Sequence, residues 1–97
     1  MDKIHHVAIQ VKNIKIAVKW YIDKFGASLD YEDETWALLK FDNLSLALVM
    51  FDQHPPHFAI ESKNAGDFGH LTKHRDGTAS VYIKDPSGNV VEIIEIE

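Results

Sequence analysis

The chain has no cysteine among its 97 residues, which removes disulfides, thiolate metal ligands and a cysteine nucleophile together. This suits a reducing compartment, and the cytoplasm is the expected location. Long apolar runs are also missing: no stretch approaches the roughly 20 residues that cross a bilayer. The opening Met1-Asp2-Lys3-Ile4-His5-His6 has neither the basic start nor the apolar core of a signal peptide. A soluble, untargeted protein with no membrane partner is expected. A third absence is any cluster of basic charge. The net charge is -5 and the ten basic residues are scattered, so a phosphate backbone would meet repulsion rather than counterion release. Nucleic acid is not an expected partner. Small anionic ligands stay compatible with this balance, because a bound divalent cation would dominate the field of a pocket.

With 45% hydrophobic residues, the length supports one domain with a modest core. Residues 4–11 alternate, with His6, Ala8 and Gln10 on one side and Val7, Ile9 and Val11 on the other, which predicts a strand. Asn13 is a good N-cap. Ile14, Ala17, Val18, Tyr21, Ile22 and Phe25 then recur at three- and four-residue spacing until Gly26 supplies a stop, so a helix is predicted over 14–25. Residues 27–34 are weakly strand-like, and 36–41 and 44–51 read as two strands divided by the Asp42-Asn43 turn signal. The first half is therefore β-α-β-β-β.

His54-Pro55-Pro56 breaks the chain, because two adjacent prolines cannot sit inside a central ladder. Beyond it, His57-Phe58-Ala59-Ile60-Glu61 echoes His6-Val7-Ala8-Ile9-Gln10: a histidine, an alanine and a polar residue share one face of each strand. Residues 81–84, the turn 85–89 and residues 90–96 make a closing hairpin like the one that ends the first half. Between 62 and 78, Gly66, Gly69 and Gly77 interrupt any periodicity and no long amphipathic helix can be drawn. The expected fold is α+β: paired βαβββ modules, about 1–53 and about 56–97 of a single domain, forming a curved mixed sheet cleft. The second module is abbreviated, with little or no helix. Its sheet would leave apolar surface uncovered, and a second copy of the chain is expected to cover it as a homodimer.

On the last strand Glu92 shares a face with Val90, Ile94 and Ile96, and a buried carboxylate there must be paired, protonated or metal-bound. Pseudo-twofold pairing of the modules would bring His6 and His57 beside it. Two imidazoles and one carboxylate resemble the facial triad that holds Fe(II) or a related divalent ion with positions left open for water or substrate. The plainer alternative is hydrogen-bonded strand histidines with Glu92 paired to a lysine at the sheet rim. His70 and His74 would form a metal pair only if their stretch were helical, and the glycines nearby favour a solvated loop. His54, beside the two prolines, is placed equally well to reach a pocket mouth or to serve as a linker residue. Trp36, Phe41, Phe51 and Trp20 would either line an aromatic pocket or fill the core, with core the expectation; Trp20, off the main apolar stripe, suits a dimer contact.

These segments resemble the vicinal oxygen chelate superfamily, which contains glyoxalase I, bleomycin-resistance proteins and extradiol dioxygenases. The opening from Ile4 to Asn13 is similar to the superfamily's first strand, where the histidine at the position of His6 is a metal ligand. His57 before Phe58-Ala59-Ile60 matches the corresponding ligand position of the second module. The segment Val81-Tyr82-Ile83-Lys84-Asp85-Pro86-Ser87-Gly88-Asn89-Val90-Val91-Glu92 is similar to the closing hairpin, whose glutamate is the last ligand. The resemblance implies a divalent metal (Fe, Mn, Ni or Zn) on His6, His57 and Glu92, and a small-molecule ligand or substrate with two adjacent oxygens. The fourth ligand of glyoxalases and related epimerases, a Glu or Gln late in the first module, falls here at Leu46 or Ala47, neither able to ligate. Extradiol dioxygenases use only His, His and Glu, and place a tyrosine and an upstream histidine as Tyr82 and His74 stand here. The resemblance thus implies catalytic roles for these two as proton donors beside the metal. The competing reading is a catalytically silent domain that sequesters a small molecule, as bleomycin-resistance proteins do.

Overall fold

The computed structural model describes residues 2–74 and 77–96. These form an α+β fold with one α-helix, a short 3-10 turn and eight strands among the described residues. The chain divides into two compact units: His6–Pro56, and the residues from His57 onward together with those before His6. Strand β1 (Lys3–Val11) begins in the second unit and continues into the first.

In the first unit, helix α1 (Ile14–Phe25) starts where the Asn13 side chain accepts a hydrogen bond from the Ile16 N–H at 2.9 Å. It stops at Gly26, whose left-handed backbone (φ 69°) lets its N–H donate to the Ile22 carbonyl. Strands β2 (Ser28–Glu32), β3 (Trp36–Lys40) and β4 (Ser45–Met50) follow, and the spatial order is β2-β3-β4-β1. β1 and β4 run parallel, whereas β4–β3 and β3–β2 are antiparallel, with a register irregularity between Leu29 and Tyr31. Strand alternation divides the side chains between the two faces. Ile9, Ala37, Leu39, Leu46 and Leu48 pack with Ile14 and Val18 of α1, forming the core of this unit. His6, Ala8 and Gln10, with their register partners Ser45, Ala47 and Val49, occupy the opposite face.

The aromatic residues divide unequally between core and surface. Phe41 packs at the margin of the α1 core, but Phe51 is exposed and Trp36 lies on the face away from α1, stacked on Tyr31 at a centroid distance of 4.5 Å. Core filling therefore holds for Phe41 and fails for Trp36 and Phe51. Parity decides Trp36, which alternates with the buried Ala37, and the turn after β4 releases Phe51.

In the second unit the order is β5-β8-β7-β6, with β5 (His57–Glu61) parallel to β8 (Val90–Glu95), β7 (Ala79–Lys84) antiparallel to β8, and β6 (Thr72–Lys73) on the edge. The long helix is replaced by a 3-10 turn over Ala65–Phe68. Fully buried Ala65 packs with Val91 and Ile93, and Phe58, Ile60, Leu71, Val81 and Ile83 close around them. Much of the apolar face thought to await a second copy is therefore covered from within the unit.

Candidate metal centre

The other face of β8 carries Glu92. Its register partners are Ala59 on β5 and Tyr82 on β7. His57 stands two residues before Ala59, on the same face, and fully buried Ala59 leaves room for the histidine to lean diagonally toward the carboxylate. His57 Nε2 lies 3.2 Å from Glu92 Oε1, with the two side chains only 4% and 6% exposed. A buried carboxylate demands such a partner, since stripping its water without replacing the hydrogen bonds is costly. The plainer alternative, in which Glu92 pairs with a rim lysine, gives way to this buried imidazole.

Tyr82 completes a trio. Its ring meets the His57 ring edge to face, with centroids 5.3 Å apart and planes at 84°. Burial, then the Glu92 charge and the hydrogen bond to Glu92, push the Tyr82 phenol well above its ordinary range. At neutral pH Tyr82 is therefore an O–H donor. Ser80, the register partner of Ile94, occupies the adjacent row of the same face, and its hydroxyl lies 2.7 Å from His74 Nε2. Tyr82 thus adjoins the carboxylate, while His74 is engaged by a serine that sequence reasoning did not single out. The available signal was parity, since Ser80 and Tyr82 alternate on one strand.

His6 opens the first unit, half-buried on β1 with Ser45 as its register partner. Ala8 and Ala47 form the next row, and Leu46 turns to the α1 core. Of the two positions considered for a fourth ligand, Ala47 shares the His6 face and Leu46 does not. Neither side chain carries a donor atom. His54 lies in the exposed linker, where its carbonyl accepts a hydrogen bond from Gln10 Nε2 at 3.0 Å. His70 follows the 3-10 turn and precedes β6, so no helix aligns it with His74.

His6 of the first unit and His57 and Glu92 of the second are side chains of the types that can ligate a metal ion. The donor set fits a divalent cation: neutral imidazoles and a carboxylate supply ligand atoms without the thiolates this chain lacks.

The model of the Glyoxalase/Bleomycin resistance protein/Dioxygenase superfamily matches residues 3–76. The chain belongs to this superfamily. The matched span contains His6 and His57 and ends before the hairpin that bears Tyr82 and Glu92. No curated protein matches the sequence. Among solved structures, a superfamily member from Vibrio splendidus 12B01 aligns with a TM-score of 0.76 at 12% identity, covering 99% of this chain and 100% of its own. Methylmalonyl-CoA epimerase in complex with methylmalonyl-CoA and NH4+ aligns at 0.76 and 14% identity, over 98% of this chain and 94% of that one. A variant of the Streptomyces coelicolor epimerase in complex with 2-nitronate-propionyl-CoA aligns at 0.74 and 16%, over 96% of each chain. At these identities the likeness is one of fold.

Proposed function

We propose that this protein binds a divalent metal ion, Fe, Mn, Ni or Zn, through His6, His57 and Glu92 and acts on a small molecule bearing two adjacent oxygens. The observation that carries the reading is the buried His57–Glu92 pair, an imidazole and a carboxylate held 3.2 Å apart. When bound, the metal would supply Lewis acidity toward the substrate oxygens. The chain's own residues do the rest. Before metal binds, Glu92 fixes the His57 ring by hydrogen bonding, a contact the metal would replace, and Tyr82 keeps its phenolic proton, so it can donate to Glu92 or to a substrate oxygen beside it. His74, oriented by Ser80, is the second proton donor of this proposal. Tyr82 and His74 together favour a dioxygenase-like ligand set and chemistry over the four-ligand isomerase type.

A second reading is a sequestering domain of the bleomycin-resistance type. Ala47 favours it, because this side chain beside His6 on the neighbouring strand offers no fourth ligand atom. Under either reading the protein is cytoplasmic and homodimeric, the latter supported by Ile16, Trp20 and Phe25 exposed on α1 at 70%, 48% and 61%. The deciding experiment is metal content by plasma mass spectrometry on untagged protein purified without chelator, beside His57→Ala and Glu92→Ala. Near-stoichiometric metal that vanishes in both variants is expected. Metal-free protein that stays so after reconstitution overturns the enzyme reading and leaves sequestration.

A further inference from the structure

The face of the first unit that carries His6 has a chemical order of its own. Register aligns His6 with Ser45, Ser45 with Lys40, and Lys40 with Ser28, a polar row running across β1, β4, β3 and β2. The next row is Ala8, Ala47, Leu38 and Tyr31, and beyond it lie Gln10, Val49 and Trp36. Three features of this face point to one kind of ligand.

Lys40 is exposed and its side chain makes no hydrogen bond or ion pair among the described residues. No acidic side chain shares its face of β1, β3 or β4, although the chain as a whole carries a net charge of -5. A lysine that no carboxylate pairs with among the described residues can take the negative charge of a ligand. The two alanines beside His6 keep the floor low, and the stacked Tyr31–Trp36 pair ends it with a flat apolar wall. That wall is held in place: Tyr31 O–H donates to Asp33 Oδ2 at 2.5 Å and the Trp36 N–H to Asp33 Oδ1 at 3.0 Å. Lys40 stands two strands from His6, roughly 10 Å at strand spacing, which a single ring with a short acidic arm spans once the lysine stem leans inward.

We propose that the ligand is a small aromatic carboxylic acid, with Lys40 as the specificity-determining residue that takes its carboxylate and Trp36–Tyr31 as the surface against which its ring packs. This rests on the proposed function, whose vicinal oxygens it places at the His6 end of the face. One lysine with no arginine beside it among the described residues matches a single negative charge better than a phosphate's two.

The test compares 3,4-dihydroxyphenylacetate with its neutral amide by anaerobic calorimetry on metal-reconstituted protein, for the parent, Lys40→Met and Lys40→Arg. The acid should bind the parent about tenfold more tightly than the amide, as expected of one charge-assisted contact. Lys40→Met should bring that ratio to near one and Lys40→Arg should keep most of it, with higher salt shrinking the ratio where it exists. In nitrogen-15 spectra the Trp36 indole should shift on binding while the Trp20 indole, on α1, stays still. No binding of the acid at millimolar concentration, equal binding of acid and amide, or a preference that survives Lys40→Met overturns the inference. Metal content measured on the same samples reports separately on the underlying reading. If the protein takes up no metal that reading falls, and the acid-to-amide ratio with its loss in Lys40→Met still decides this one.

Discussion

His57 Nε2 and Glu92 Oε1 face each other at 3.2 Å in a setting that leaves both side chains almost dry. Removing the imidazole takes one partner from a carboxylate that has given up its water. His57→Ala should destabilise the metal-free protein by roughly 1–3 kcal/mol in urea unfolding. Glu92→Gln, which preserves shape and an acceptor oxygen, should lose less. The two effects should be strongly non-additive in the double variant, because each single change already breaks the shared contact. Additive losses would show that the pair carries no energy.

The alkaline limb of stability should report Tyr82. Its phenol is pushed upward by burial first and by Glu92 second. A raised folded-state value means the folded protein holds a proton that the unfolded chain gives up. This contribution is therefore fully present below the ordinary phenol value of 10.0 and is lost as the pH climbs above it toward the folded value. Ultraviolet titration should find one of the three tyrosines ionising late, and Tyr82→Phe should delete that late step. A late step that persists in Tyr82→Phe would assign the effect elsewhere.

Helix α1 offers a local control on the fold. Asn13→Ala removes the acceptor that satisfies the Ile16 N–H and should cost about 1 kcal/mol. Gly26→Ala forces a side chain into a left-handed backbone and should cost a similar amount, although a Cβ there would meet nothing within 4 Å. Urea midpoints should fall for both with unchanged slopes, and metal content should stay at the parent level.

Acid should loosen the Tyr31–Trp36 wall late. The Tyr31 hydroxyl, then the Thr35 N–H, hold the Asp33 carboxyl well below its ordinary value of 3.8. A lowered folded-state value stabilises the turn above the ordinary carboxylate pKa, and that support disappears as the pH falls through the folded value. Carbon-13 titration of Asp33 should give a midpoint below 3.8. Asp33→Asn should make Trp36 emission independent of pH in that range.

The elements that were legible in the sequence are those that obey a period. Residues 14–25 carry a cap at each end and an apolar stripe between, and α1 occupies that span. The histidine-alanine echo marks β1 and β5, whose alternation places His6 beside Ala8 on one face of β1 and His57 beside Ala59 on one face of β5. What escaped was decided by tertiary register. Nothing local places Ser45 rather than Leu46 on the His6 face, because only the pairing of β4 with β1 fixes its parity. The engagement of His74 by Ser80 likewise depends on β6 folding back along β7, and β6 is two residues long in a glycine-broken stretch without periodicity. Trp36 reads as core because aromatics usually are, and its alternation with a fully buried alanine sends it to the other face.

Strand β2 lies at the end of its four-strand order, and all five of its residues are exposed, Leu29 and Tyr31 among them. Such a border invites another chain to add itself by backbone pairing. Here it is guarded by the irregularity that skips Asp30 and by the carboxylates of Asp30 and Glu32, a repellent fringe instead of a physical cover. The guard is made of charge, so replacing Asp30 and Glu32 with neutral residues would leave Leu29 and Tyr31 on an open ladder. Self-association of such a variant would then begin along this margin while the buried cores remain intact.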